Sequence, residues 1–523
     1  LSKKWASSAA IVTIAAVMLA ACSSNSAGTS SSSSPSPGAN AATPAATAKA
    51  KKVVYVYANT GALQLTTDTS KPEAVEEVRQ AILAKSGIEV QAIIPPKGSE
   101  ADKLNLLLAS NEPLDIFMGS MSTHQAKGAV MPINDLLDKY GANVKKLWKP
   151  EWESGWKGLS TKDGKIWGVP QLPPLAGNTV LVRKDWLDKY GLAVPKTFDD
   201  FENVLKVFKE KDPAGNGQTI PLLTDFNVQN NLQGMNMALA AGFMDIGYAN
   251  WIDTDGKVKP IVFNPGYKQF IGVMADWYKK GYIYKEAFSL IKDKEIELTK
   301  QNRVGAAAIW YTTILNQVSA LKQTAPDANY IVVDLQGPKG NVTSAGGVSL
   351  GGTMISKNSK NAEAAMELIN WAHSDIENYF LAFYGIEGKH WKYVDKANHV
   401  IERLNRDYLG DLQIGSSFAY TVQHSLNDPA SKPANDYIKD YITNTKRMKM
   451  PALLDYDYKF DQKAIADKIP TLNDINRMME QEIVKFVMGA RPIADYDKFL
   501  QELSKTGVDN WTQVMTEQYN SVK

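Results

Sequence analysis

The chain has 523 residues, with 58 Lys and Arg against 56 Asp and Glu, a formal net charge of +2, five His and one Cys. So small a charge on so long a chain, with no basic run interleaved with aromatics, speaks against a nucleic-acid partner. A single cysteine leaves no internal disulfide or thiolate metal site, and the scattered histidines never show the His-Glu-x-x-His spacing, so catalytic zinc is not expected.

That cysteine, Cys22, stands between an apolar run at residues 9–21 and a tract of Ser, Pro and Gly. Lys3 and Lys4 precede the run, which is too short to span a bilayer and has the length of a secretory h-region. It ends in Leu19-Ala20-Ala21-Cys22, which resembles a bacterial lipobox. Small residues let a signal peptidase hold the backbone extended, and the thiol is the nucleophile for a diacylglyceryl group. The alternatives, a catalytic thiol or a buried core cysteine, are disfavoured by these flanks. We therefore expect a signal peptide over 1–21 and a lipidated Cys22, followed by a disordered tether to residue 50. The tether has almost no large apolar side chains with which to offset its ordering entropy. Acyl chains on one residue anchor firmly, since each buried methylene contributes roughly 0.8 kcal/mol. After the leader, no apolar segment reaches the length of a membrane span.

The body opens with a β-branched and aromatic run, residues 53–61, that reads as a buried strand ending in turn residues. A helix follows, with Pro72 near its start, Val75, Val78, Ile82 and Leu83 at helical spacing, and Gly87 just past its end. Residues 88–95 return as a strand, 104–109 as a helix and 114–120 as a strand. Such alternation implies parallel strands with helical crossovers. Ligands in such sheets sit beyond the carboxyl ends of strands, which places Asn59, Thr60, Gly119 and Ser120 at a cleft, although each is also an ordinary turn residue.

At 194–210, Thr197 and Asp200 form a capping box, and Phe198, Phe201, Val204, Leu205 and Phe208 line a core-facing stripe. The loop from Asp212 has the outline of a calcium loop in Asp212, Asn216 and Gly217. Ala214 sits where an oxygen ligand belongs and Leu223 where a closing Glu would stand, so a polar turn is expected and no metal. Residues 346–352 contain Gly-x-Ser-x-Gly around Ser349. A nucleophile elbow needs a helix straight afterwards, whereas more strand follows and the next helical pattern starts near Asn361, with Ala365, Leu368, Ile369 and Ala372 on its apolar face.

Five stretches, residues 108–120, 163–171, 181–201, 384–391 and 483–511, are each weak but colinear over nearly the whole mature chain. Together they resemble the lipoprotein solute-binding component of a carbohydrate ABC importer, of the large oligosaccharide-binding type found in Gram-positive bacteria. The resemblance implies an α/β, periplasmic-binding-protein-like type 2 fold of two discontinuous lobes with a hinge. The first lobe would comprise 51–178 with 346–405. The second would comprise 179–345 with 406–523, including a C-terminal helical extension. It also implies a lipid-anchored monomer on the extracellular face of the cell membrane, with a carbohydrate ligand, permease subunits as partners, no cofactor and no catalysis.

Sugars have apolar faces and polar rims, so their sites combine aromatic platforms with hydrogen-bonding side chains. Trp310, with Tyr311, ends an apolar strand at the place where the resembling maltodextrin-binding proteins put a stacking tryptophan. Trp167 and Trp391 come next, with core packing as the competing reading for each. Tyr57, Asn59, Ser120, Gln171 and Asn227 are polar candidates at strand ends or adjoining loops. Trp186, Trp277 and Trp371 fall inside amphipathic helices and read as packing residues. The alternatives are a binder of peptides or other polar solutes and, in a different class, a surface glycoside hydrolase with two carboxylates flanking the bond.

Overall fold

The computed structural model describes residues 52–58, 70–96, 99–148, 153–171, 177–226, 232–244, 250–340, 351–412, 414, 418–429, 432–443, 453 and 456–523. The expectations for Cys22, the tether, Asn59, Thr60, Asn227 and Ser349 fall outside them. In chain order the strands are β1 (Lys52–Tyr57), β2 (Ile88–Ile93), β3 (Ile116–Ser120), β4 (Val169–Pro170), β5 (Asn178–Arg183), β6 (Ile220–Thr224), β7 (Trp251–Ile252), β8 (Val258–Lys259), β9 (Val304–Trp310), β10 (Tyr330–Val333), β11 (Gly351–Ile355), β12 (Trp391–Asp395), β13 (Val400–Arg403) and β14 (Ser425–Leu426).

The first sheet has the order β2-β1-β3-β11-β4. β1 runs parallel to both β2 and β3, with the helices Pro72–Ser86 and Glu100–Ala109 as crossovers. Pro72 opens the first helix, where a missing N–H costs nothing, and Val75, Val78 and Ile82 are buried. Gly87 closes it at φ 72°, donating its N–H to Leu83 O at 2.9 Å, a left-handed cap that a Cβ would strain. The second helix starts at Glu100 rather than Leu104, because Glu100 and Asp102 in the first turn complement its dipole. The parallel arrangement ends at β3, since β11 is antiparallel to both β3 and β4. β11 returns from the second sheet, and so enters at the end where β3 leaves.

The second sheet is ordered β10-β5-β9-β6. β6 and β9 are parallel, while β5 is antiparallel to β9 and β10. Every residue of β5 is buried. The chain passes between the sheets from β4 to β5 and returns from β10 to β11. These are the two lobes of a periplasmic-binding-protein-like α/β fold. Asp407, Tyr408 and β14, expected in the second lobe, bond instead to the first. Lys71 donates its N–H to Asp407 O at 2.8 Å, Tyr408 its hydroxyl to Ala382 O at 2.7 Å, and β14 pairs with β13. The helix Lys432–Thr443 then reaches the second lobe, where Tyr437 packs on Tyr311. The C-terminal helices from Gln462 onward pack on the second lobe's core.

The recognisable stretches build this scaffold. Arg183, only 1% exposed, grips the Asp185 carboxylate through Nε and Nη2 at 2.8 and 2.6 Å, bonds Asn302 Oδ1 at 2.5 Å, and lies 4.3 Å from the Trp186 ring. Asp115 accepts from Tyr55 N–H, Ser359 hydroxyl and Asn361 Nδ2 at 2.8, 2.6 and 3.1 Å, tying β1 to the start of the helix Ala362–Ala372. Arg491 bridges Glu482 and Glu502 at 2.6 and 2.9 Å beneath the final helices. Thr197 and Asp200 cap the helix Phe198–Lys211 reciprocally, at 3.1 and 3.0 Å. Asp212 accepts from the N–H groups of Gly217 and Thr219 at 2.6 and 3.0 Å, so its carboxylate organises the turn itself. The strand expected after Ser349 is β11.

Candidate functional site

Two rows of residues face the passage between the sheets. In the first, Ser120 pairs with Gly351, and since Pro170 pairs with Gly352, Gln171 falls beside Gly351 in the same row. β3 leaves this row through a π-turn, Met121–Gln125, a wide turn frequent at functional sites. That turn brings His124 back so that its Nδ1 accepts the Ser120 N–H at 3.0 Å, with the ring edge-on to Phe117. Burial lowers the imidazole pKa and keeps it an acceptor. His124 was not legible as a site residue, since nothing in sequence announces a π-turn.

In the second row Asn178 pairs with Trp310, and Gly177 O accepts the Tyr311 N–H at 2.9 Å. Trp310 is 40% exposed, an unusual state for an indole at the end of an otherwise buried strand. Tyr311 is buried behind it, with ring centroids 5.7 Å apart, and Tyr437 lies 4.7 Å beyond Tyr311. Tyr311 is therefore the backing of a platform whose open ring is Trp310. Burial pushes its phenol far above the ordinary tyrosine range. Tyr437 comes from a distant helix and was missed for that reason.

One carboxyl adjoins this row by register, and a second is its electrostatic neighbour. Thr224 pairs with Ala308, which sets Asp225, the next residue, level with Ile309 and one step from Trp310. Asp225 accepts the Gly234 N–H at 3.2 Å. Glu295, in the first turns of the helix Lys292–Lys300, is 6% exposed, and burial together with the nearby Asp225 pushes its carboxyl up to about 7. Neither residue belongs to a local motif.

The remaining candidates separate. Trp167 donates its indole N–H to Thr161 Oγ1 at 3.0 Å and lines a cleft of about 560 Å³. Lys162 and Met121 stand on one side of that cleft, and Phe460, Lys463 and Met515 of the C-terminal segment on the other. Tyr57 is buried, its hydroxyl donated to Glu100 O at 2.5 Å, and so is committed within the first lobe. Trp391 is 2% exposed, packs 5.1 Å from Phe380 and donates to Gly385 O at 2.8 Å, so it is a core residue. Trp186 and Trp277 are buried in helices, and Trp371 is partly buried. Among the described residues no cluster of three or more metal-ligating side chains occurs, and no helix is long and apolar enough to cross a membrane.

The model of bacterial extracellular solute-binding proteins matches residues 64–378. The fructooligosaccharide ABC transporter substrate-binding protein of Streptococcus pneumoniae is 25% identical over 80% of this chain and 82% of its own. The polygalacturonan/rhamnogalacturonan-binding protein of Bacillus subtilis is 24% identical over 87% of this chain and 89% of its own. An extracellular solute-binding protein from Bifidobacterium longum subsp. infantis superposes with a TM-score of 0.66 at 20% identity, covering 91% of this chain and 99% of its own. The match covers the second sheet and every strand of the first except β1. The chain therefore belongs to the bacterial extracellular solute-binding protein family.

Proposed function

We propose that the protein captures an oligosaccharide outside the cell and delivers it to the permease of an ABC importer, with Cys22 carrying the lipid that holds it at the membrane. The observation that carries this is the exposed Trp310 ring at the end of β9, backed by Tyr311 and Tyr437 and facing the passage between two lobes. A sugar's apolar face stacks on such a ring, and its hydroxyls bond to groups on the flanking strand ends. Ser120, Gln171, Asn59 and Asn227 are the polar partners in this reading, with Trp167 near the mouth. Names of relatives point the same way. No bond is broken: the solute binds the closed arrangement more tightly than the open one, and that difference shifts the population toward closure. Isothermal titration with a panel of trisaccharides tests the reading. Saturable heat with at least one sugar and none with peptides is expected, whereas stabilisation by peptides alone would overturn it.

One observation favours a second reading, a surface glycoside hydrolase. Glu295 is a carboxyl that burial and the charge of Asp225 push up to about 7, the kind of raised carboxyl from which a general acid is made. Prolonged incubation with the bound sugar separates the two: a binder returns it intact.

A further inference from the structure

The cleft at Trp167 is walled by both lobes, and each wall is held from its own side. On the first lobe, residues 159–167 form a tight hairpin. Ser160 bridges Ile166 in antiparallel fashion, Thr161 donates its N–H to Lys165 O at 2.9 Å, and Trp167 donates its N–H to Leu159 O at 2.8 Å. Asn134 pins the hairpin by accepting the Ile166 N–H at 2.9 Å and donating Nδ2 to Gly164 O at 3.0 Å. The Trp167 indole N–H goes to Thr161 Oγ1 at 3.0 Å, so the ring's one polar atom is engaged within the hairpin. With Met121 the ring gives the cleft an apolar wall that belongs to the first lobe. Phe460 and Met515 give it a second apolar wall, and these two pack with the second lobe's core. Asp461 accepts the Ala464 N–H at 2.9 Å and donates its own N–H to Gln518 Oε1 at 2.9 Å, which fastens this wall to the final helix, Asp509–Val522. Charges on the walls are also engaged locally: Asp163 accepts from the Thr161 hydroxyl at 2.5 Å and from Lys165 at 2.8 Å, and Lys463 pairs with Asp467. Gln125, Lys162 and Gln462 line the same cleft with no side-chain hydrogen bond or ion pair among the described residues.

Resting on the sugar-capture reading, we infer that this cleft is a second sugar subsite, in which one unit stacks on Trp167 and is met from the other lobe by the C-terminal segment at Gln462 and Met515. Its volume of about 560 Å³ is that of a small-molecule site and accommodates a sugar unit. The apolar walls suit the face of a sugar ring, the two amides both donate to and accept from hydroxyls, and Lys162 donates. An occupant that touches both walls binds more tightly when the walls stand close, so it adds to the difference in affinity that drives closure. The C-terminal extension is then a jaw of the clamp as well as a cover for the second lobe's core.

The test is isothermal titration of the full chain and its Trp167→Ala, Gln462→Ala and Met515→Trp variants with kestose, maltotriose, maltohexaose, xylotriose and xylohexaose. For the sugar that the unmodified protein binds most tightly, Trp167→Ala is expected to weaken binding about fivefold or more, through loss of the stacked ring. Gln462→Ala is expected to weaken it about twofold to threefold, and Met515→Trp, which fills the cleft from the other side, severalfold. Thermal unfolding of each variant checks that it is folded, and Trp167→Phe, which keeps a ring, is expected to keep most of the affinity. Full affinity in Trp167→Ala would overturn the subsite. Full affinity in both Gln462→Ala and Met515→Trp, beside a weakened Trp167→Ala, would overturn the C-terminal jaw. Either result leaves sugar capture standing, because the unmodified protein still binds. Absence of binding by every sugar of the panel would remove the capture reading, and this inference with it.

Discussion

The indole of Trp310 lies across the bare Cα of Gly177, where a Cβ would stand 2.0 Å from the ring's Cζ3. Side chain and backbone thus share one space, and the ring's exposure depends on a residue with nothing to offer but its absence of bulk. Gly177→Ala is expected to push the indole off its seat and weaken sugar binding about as much as Trp310→Ala does. The loss for Trp310→Ala is tenfold or more, if one stacked aromatic is worth about 1.5–3 kcal/mol. Calorimetry on both variants checks this, and full affinity in Trp310→Ala would take the ring out of the site.

Arg183→Met should cost about 3–5 kcal/mol of stability, because it leaves the Asp185 carboxylate without the guanidinium that grips it at 2.8 and 2.6 Å. Urea unfolding reads the effect. A change below about 1 kcal/mol would mean that the clamp is exchangeable for packing alone.

Thr197→Ala removes one half of the reciprocal cap on the helix Phe198–Lys211 and is expected to cost about 1 kcal/mol. Thr197→Ser, which keeps the hydroxyl, should recover most of it in the same unfolding assay.

Two sets of buried groups give opposite pH dependences. Burial pushes His373 and His424 down to about 4, so below the ordinary histidine value of 6.5 the unfolded chain takes up protons that the folded chain refuses. Their contribution is present above 6.5 and is lost as pH falls toward 4. Glu295 behaves in reverse. Its carboxyl, pushed by burial and Asp225 from 4.5 to about 7, favours the folded state fully below 4.5, and that advantage is lost as pH rises through 7. Glu295→Gln is therefore expected to be more stable than the unmodified protein at pH 8, by about 2–3 kcal/mol, and about equal to it at pH 4.5. Denaturant midpoints measured across pH 4–8 test both signs.

Cys22→Ala should release the protein from the membrane fraction into the medium when the whole chain is produced in a Gram-positive host. Retention of the variant with the membranes would refute lipidation at this residue.

Much of the architecture is written in local pattern. Pro72 and Gly87 bracket a helix, Thr197 and Asp200 announce another, and alternating strand and helix signals define the first sheet, because caps, turns and periodicity are properties of a few adjacent residues. Three residues of the stretches that made the family recognisable hold the scaffold: Arg183 on Asp185, Asp115 under β1, and Arg491 between two glutamates. The aromatic platform was half legible. Trp310 could be named from its place at a strand end, but the bare seat at Gly177 and the backing by Tyr437 could not. Tyr57 and Trp391 are aromatic like Trp310, yet their polar atoms are committed to Glu100 O and Gly385 O inside the first lobe. Which strand ends meet and which ring stays open are matters of long-range pairing. That pairing is set by burial and register across hundreds of residues, and no local window of the chain contains it.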